Sequence, residues 1–150
     1  MMKCGIILLE NIIRAIYIAV LKKQLEWKGD FMFGVNYHKL IKKNFKFLKD
    51  LGFKFVEYQN GPDLETVFTY QDVIIELHYY YGVDDKYNKD YYFDVVISKK
   101  GIRENLLKSI VIFGQEKIQD LVNKLVSSNM ENKIILYSQF IMNNYLILLE

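Results

Sequence analysis

The sequence predicts an α+β fold: an N-terminal helix, a four-stranded antiparallel β-meander, then two to three C-terminal helices. Three observations carry this. Apolar residues recur at helical spacing over residues 36–51. Four short aromatic and β-branched runs, separated by turn residues, follow between residues 53 and 98. Helical spacing then returns after Gly101 and continues to the end of the chain. Consecutive strands joined by short turns favour antiparallel pairing, and helices grouped at the ends favour α+β over α/β.

In the first helix, Tyr37, Ile41, Phe45 and Leu48 form the apolar stripe, widened by Leu40, Phe47 and Leu51. Asn36 is suited to cap its start and Gly52 to end it. Residues 53–58 read as the first strand, and Asn60-Gly61-Pro62-Asp63 as a turn. Residues 64–70 read as the second strand. Residues 72–81 read as the third, with Val73, Ile75, Leu77, Tyr79 and Tyr81 on one face. A polar loop over residues 82–89 leads to the fourth, residues 90–98, with Tyr91, Phe93, Val95 and Ile97 on one face. Helices are expected over residues 101–113, 115–126 and 132–149, broken at Gly114 and at Ser127-Ser128-Asn129.

A chain of 150 residues fits one domain, and such a domain buries roughly 68–70% of its unfolded surface without a disulfide or metal. Residues 1–31 differ from the rest: a short hydrophobic helix, then a polar stretch ending in Lys28-Gly29-Asp30-Phe31 before Met32. Lys-Gly-Asp can be encoded by a sequence containing GGAG, the core of a bacterial ribosome-binding site, a short spacer ahead of the Met32 codon. The expectation is an ordered α+β domain over residues 32–150, with 1–31 a non-native or loosely attached extension. A genuine helix docked on the domain is the other reading.

Cys4 is the only cysteine, which rules out an intrachain disulfide and a multi-cysteine zinc site and suits a reducing cytoplasm. No membrane partner is expected. The N-terminal apolar stretch is interrupted by Glu10, Asn11 and Arg14, and the uncharged run over residues 134–149 carries Ser138, Gln139, Asn143 and Asn144. That run reads as a core helix, with a membrane span as its alternative. No phosphate-binding glycine loop, nucleophile elbow or zinc-protease motif is present.

The charge is polarised although the net charge is only +2. Residues 57–94 hold nine acidic residues opposed only by Lys86 and Lys89, whereas residues 39–54 hold six lysines against Asp50. An acidic sheet repels nucleic acid and attracts a basic protein. The lysines sit on the outer side of an amphipathic helix, where they ordinarily serve solvation. On the polar parity of strands three and four lie Asp72, Glu76, His78, Tyr80, Tyr92 and Asp94. Tyrosine offers large contact area with little rotamer freedom to lose. The expected partner-binding residues are Glu76, His78, Tyr80, Asp84, Asp85, Tyr87, Tyr92 and Asp94. No residue is assigned to catalysis or to a metal, and no cofactor is expected.

Two other readings stay open. Glu76, His78 and Asp94 could serve a small enzyme or bind a divalent metal. A nuclease-type metal site would carry a lysine two residues after the glutamate, and here His78 stands there. The lysine-rich first helix could instead contact nucleic acid.

The run Phe47-Leu48-Lys49-Asp50-Leu51-Gly52-Phe53-Lys54, followed by Asp72-Val73-Ile74-Ile75-Glu76-Leu77 and Tyr91-Tyr92-Phe93-Asp94-Val95-Val96-Ile97, resembles small bacterial cytosolic domains. Some of these are immunity proteins of polymorphic toxin systems. The resemblance spans about residues 36–150. It lies in the order of helix, meander and terminal helices, so no functional residue is carried over. It implies a protein that neutralises a toxin by binding it, often with an acidic face against a basic nuclease.

Overall fold

The computed structural model describes residues 11–17, 37–83 and 89–150. The chain divides into two compact units, residues 1–37 and 38–150. In the first, residues 11–17 form a helix, α1, whose Ile12, Ile13, Ile16 and Tyr17 are exposed. The expected boundary at Met32 and the capping residue Asn36 lie outside the described residues.

The second unit is α+β. Two short helices, α2 (Tyr37–Asn44) and α3 (Lys46–Asp50), precede five strands: β1 (Lys54–Asn60), β2 (Asp63–Tyr70), β3 (Val73–Val83), β4 (Lys89–Lys99) and β5 (Ile102–Asn105). They form one antiparallel sheet in the order β1-β2-β3-β4-β5. A 3-10 turn (Leu106–Lys108) leads to α4 (Ile110–Phe113), α5 (Gln115–Leu125) and α6 (Met130–Leu149).

The single helix expected over 36–51 is therefore two. Asn44 donates its side-chain amide to the Leu40 carbonyl (2.8 Å), and Phe45 leaves the helical conformation at φ −101°, ψ 6°. A side chain bonding back to the i−4 carbonyl commonly bends a helix. The end at Gly52 follows the sequence pattern. Gly52 takes φ +95°, donates to Lys49 O, and Phe53 donates to Leu48 O. These are the two bonds of a Schellman cap, sealed by the buried pair Leu48 and Phe53.

The sheet has five strands where four were expected, because residues 102–105 form β5 and do not begin a helix. Lys100 and Gly101 both have positive φ, +52° and +80°. Positive φ at both central positions is the type I′ turn, whose twist matches paired strands. The chain therefore doubles back, pairing Val96–Lys99 with Ile102–Asn105. Asn105 then accepts from Leu107 N (2.9 Å) and starts the 3-10 turn.

Strand alternation sends Val73, Ile75, Leu77 and Tyr79 of β3, and Phe93, Val95 and Ile97 of β4, to one buried face. We call this the inner face. Phe45 packs on Phe93 (6.1 Å between centroids), and Tyr137 of α6 meets the same ring edge-on (5.7 Å). Phe113 and Phe140 join α4 to α6 (5.0 Å). α6 is a core helix, burying Ile134, Tyr137, Phe140, Ile141 and Leu148. Among the described residues, no helix is long and apolar enough to cross a membrane.

Burial pushes the Tyr137 hydroxyl well above its ordinary value, with the charge of Asp94 adding to the effect. The folded protein thus keeps a proton that the unfolded chain releases near pH ~10. This stabilisation is whole below that pH and is lost as pH rises toward the folded value. Stability against urea is expected to fall above about pH 10, by up to about 1.4 kcal/mol per pH unit for this one group. Tyr137→Phe should flatten the slope relative to the wild type. An unchanged slope would remove Tyr137 as its source.

Candidate functional site

The opposite, outer face of the sheet collects the polar side chains. Its parity is fixed by the register: Tyr58 faces Glu65, Glu65 faces His78, and His78 faces Asp94. One row thus crosses β1 to β4. The adjacent row brings Tyr80 opposite Tyr92, and Val96 stands between Glu76 and Asn105. Among the described residues, the ring contacts that the helices and their connections make with the sheet fall on inner-face residues such as Tyr79, Phe93 and Tyr70.

His78 lies in the central strand and is nine-tenths buried, at 9% exposure. Its Nδ1 is 3.0 Å from the Tyr80 hydroxyl and 3.2 Å from Glu65 Oε1. Its Nε2 is buried without a hydrogen-bond partner, 3.6 Å from Glu76 Oε1. Arg103 of β5 reaches diagonally past β4 and grips Glu76 with two donors, Nε to Oε2 at 2.7 Å and Nη2 to Oε1 at 3.2 Å. This fork holds the guanidinium further above its already high value.

Asp94 is as buried as His78, at 8% exposure. It accepts from the Tyr92 hydroxyl (2.9 Å), from the Asn105 amide and from Val95 N (2.9 Å). A buried carboxylate needs this many donors to offset its lost hydration. The Tyr80 and Tyr92 rings stack at 6.2 Å with 18° between planes. Both hydroxyls are pushed up. For Tyr80 the causes are burial, then the charges of Glu65, Asp63 and Glu76; for Tyr92 they are burial, then the bond to Asp94. Both therefore remain neutral hydroxyls at physiological pH.

The structure brings together five of the eight expected residues: Glu76, His78, Tyr80, Tyr92 and Asp94. Asp84, Asp85 and Tyr87 lie outside the described residues. Asp72 leaves the face, because it sits in the two-residue turn between Tyr70 and Val73. The acidic stretch is also less continuous than its sequence suggests. Glu57 points to the helix side and pairs with Lys42 (3.4 Å), and Asp63 accepts from Tyr81 N (2.9 Å). Of the helix lysines, Lys49 lies over the Phe55 ring (3.6 Å).

Sequence reasoning missed Tyr58, Glu65, Arg103 and Asn105. The first two were legible in principle from the Gly61 hairpin, which sets the β1–β2 register. Gly61 has φ +60° ahead of Pro62, the glycine-first form of a two-residue hairpin. The other two were hidden by reading β5 as helix. Glu65, Glu76 and His78 can each present a ligand atom within 4.8 Å of the others, which makes them the group able to hold a cation among the described residues. No protein-family model, curated protein or solved structure matches this chain.

Proposed function

We propose that this chain is a non-enzymatic protein-binding domain that docks a basic protein on the outer face of its sheet, in the manner of an immunity protein holding a toxin. One observation carries the reading: large side chains stand exposed on a sheet face whose polar floor is rigidly bonded. Val56, Tyr58, Tyr80 and Tyr92 are 52%, 60%, 37% and 51% exposed. Beneath them His78 and Asp94 are anchored in the hydrogen bonds described above. A docking surface needs aromatic anchors with little freedom to lose on binding, and stacked, hydrogen-bonded tyrosines meet that need.

The charge supports the choice of partner. Glu65, Glu76 and Asp94 bring three carboxylates to the face against the guanidinium of Arg103 and, at the β1 edge, the ammonium of Lys54, and Asp84-Asp85 adjoin it in sequence. Charge complementarity acts mainly on encounter rate and specificity. Once a basic partner is captured with the wild-type chain, Asp84→Lys with Asp85→Lys should slow its association and flatten the salt dependence of that rate. Association that stays equally fast and equally salt-sensitive would remove the acidic face from the encounter.

A further inference from the structure

We propose that Glu65, Glu76 and His78 form a binding site for a divalent first-row transition cation of the Zn²⁺ class. The site shares the outer face with the docking surface but does not depend on it.

The buried imidazole is the starting point. Nδ1 of His78 is accounted for by Tyr80 and Glu65, whereas Nε2 is buried with no hydrogen bond. Its neighbour Glu76 Oε1, at 3.6 Å, stands beyond hydrogen-bond range. A buried nitrogen left this way is costly. When Nδ1 donates the ring proton to the Tyr80 hydroxyl, Glu65 is released to turn toward an ion and Nε2 presents a lone pair toward Glu76. In that tautomer the two groups are both electron-rich, and a cation between or beside them would satisfy both.

The donor set suits a transition cation. One imidazole nitrogen and two carboxylate oxygens are ordinary zinc ligands, at about 2.0–2.2 Å each. Two ligands of one tetrahedral ion then stand about 3.3–3.6 Å apart. The three ligand atoms lie within 4.8 Å of one another and must draw in around an ion; Glu65, whose side chain is 39% exposed, has room to move. Mg²⁺ favours oxygen ligands throughout and should bind more weakly. Asp94 is not a ligand here, because it stands outside the group of ligand atoms that converge and three hydrogen bonds fill most of its sites.

Arg103 gives the proposal a distinctive signature. Its fork takes one lone pair on each Glu76 oxygen and leaves others for a cation, since a carboxylate offers about four sites. Its positive charge nevertheless opposes the ion. Arg103→Gln should therefore tighten binding, the opposite of what loss of a structural ion pair would do.

The test is calorimetric titration of the chelator-stripped full chain with Zn²⁺. We expect one ion per chain at micromolar Zn²⁺, little competition from Mg²⁺, and a rise in melting temperature with added Zn²⁺. Glu65→Gln and His78→Gln should each weaken binding by about ten-fold or more. Arg103→Gln should strengthen it several-fold, and His38→Gln should leave it unchanged. Arg103→Gln keeps every ligand, so it decides the matter even if a ligand variant fails to fold. Absence of Zn²⁺ binding by the wild type, binding that survives both ligand changes, or weaker binding in Arg103→Gln would each overturn the proposal.

Discussion

Phe93→Ala should destabilise the protein by about 3–5 kcal/mol, while Tyr92→Ala, one residue earlier, should cost about 1 kcal/mol. Phe93 is 1% exposed and sits where the two helical covers of the sheet meet, touching Phe45 on one side and Tyr137 on the other. Truncation removes the ring and leaves a cavity that two separate elements would have to collapse to fill. Tyr92 is 51% exposed and loses chiefly its bond to Asp94, which keeps its bonds from Asn105 and Val95. The contrast tests the register of β4 directly, since a one-residue slip exchanges the two faces. Urea midpoints at unchanged denaturant slope would measure both. Equal costs at the two positions would contradict the register.

The second large effect concerns binding. Tyr80→Ala or Tyr92→Ala should cost about 2 kcal/mol or more in affinity for the docked protein, expressed mainly as faster dissociation. The two rings stack on each other, and each hydroxyl is tied to a floor residue, Tyr80 to His78 and Tyr92 to Asp94. Removing one ring therefore takes the stacking support from the other as well as deleting its own contact. Tyr92→Phe keeps the stack and loses only the hydroxyl bond, so it should fall between wild type and Tyr92→Ala.

How much of this was legible in the sequence follows from which forces are local. Strict alternation in β3 and β4 marked the buried set and its polar complement, because a strand's period of two leaves little ambiguity once one face is apolar. That placed Glu76, His78, Tyr80, Tyr92 and Asp94 on one side without a structure. The β5 hairpin was not legible as read. Ile102, Leu106 and Ile110 also fit helical spacing, and the evidence against a helix was the single Lys100-Gly101 turn. Missing that turn hid Arg103 and Asn105, and with them the way Glu76 and Asp94 are held. Glu65 was overlooked for a different reason. Its strand is half polar, and only cross-strand pairing with His78 gives it meaning. The nine acids of residues 57–94 likewise looked like one field in sequence, but alternation sends Glu57 to the helix side and a turn takes Asp72.

The central claim is that the outer face, and not the lysine-bearing helix pair, holds the partner. Its most direct test is the dissociation rate of the captured basic protein from four immobilised chains: wild type, Tyr80→Ala, Tyr92→Ala, and a chain with Lys43→Gln and Lys46→Gln. Each tyrosine change should speed release by about thirty-fold, the rate equivalent of 2 kcal/mol, and the lysine changes should leave it as in the wild type. Release that is unaltered by both tyrosine changes, with binding abolished by the lysine changes, would contradict the account.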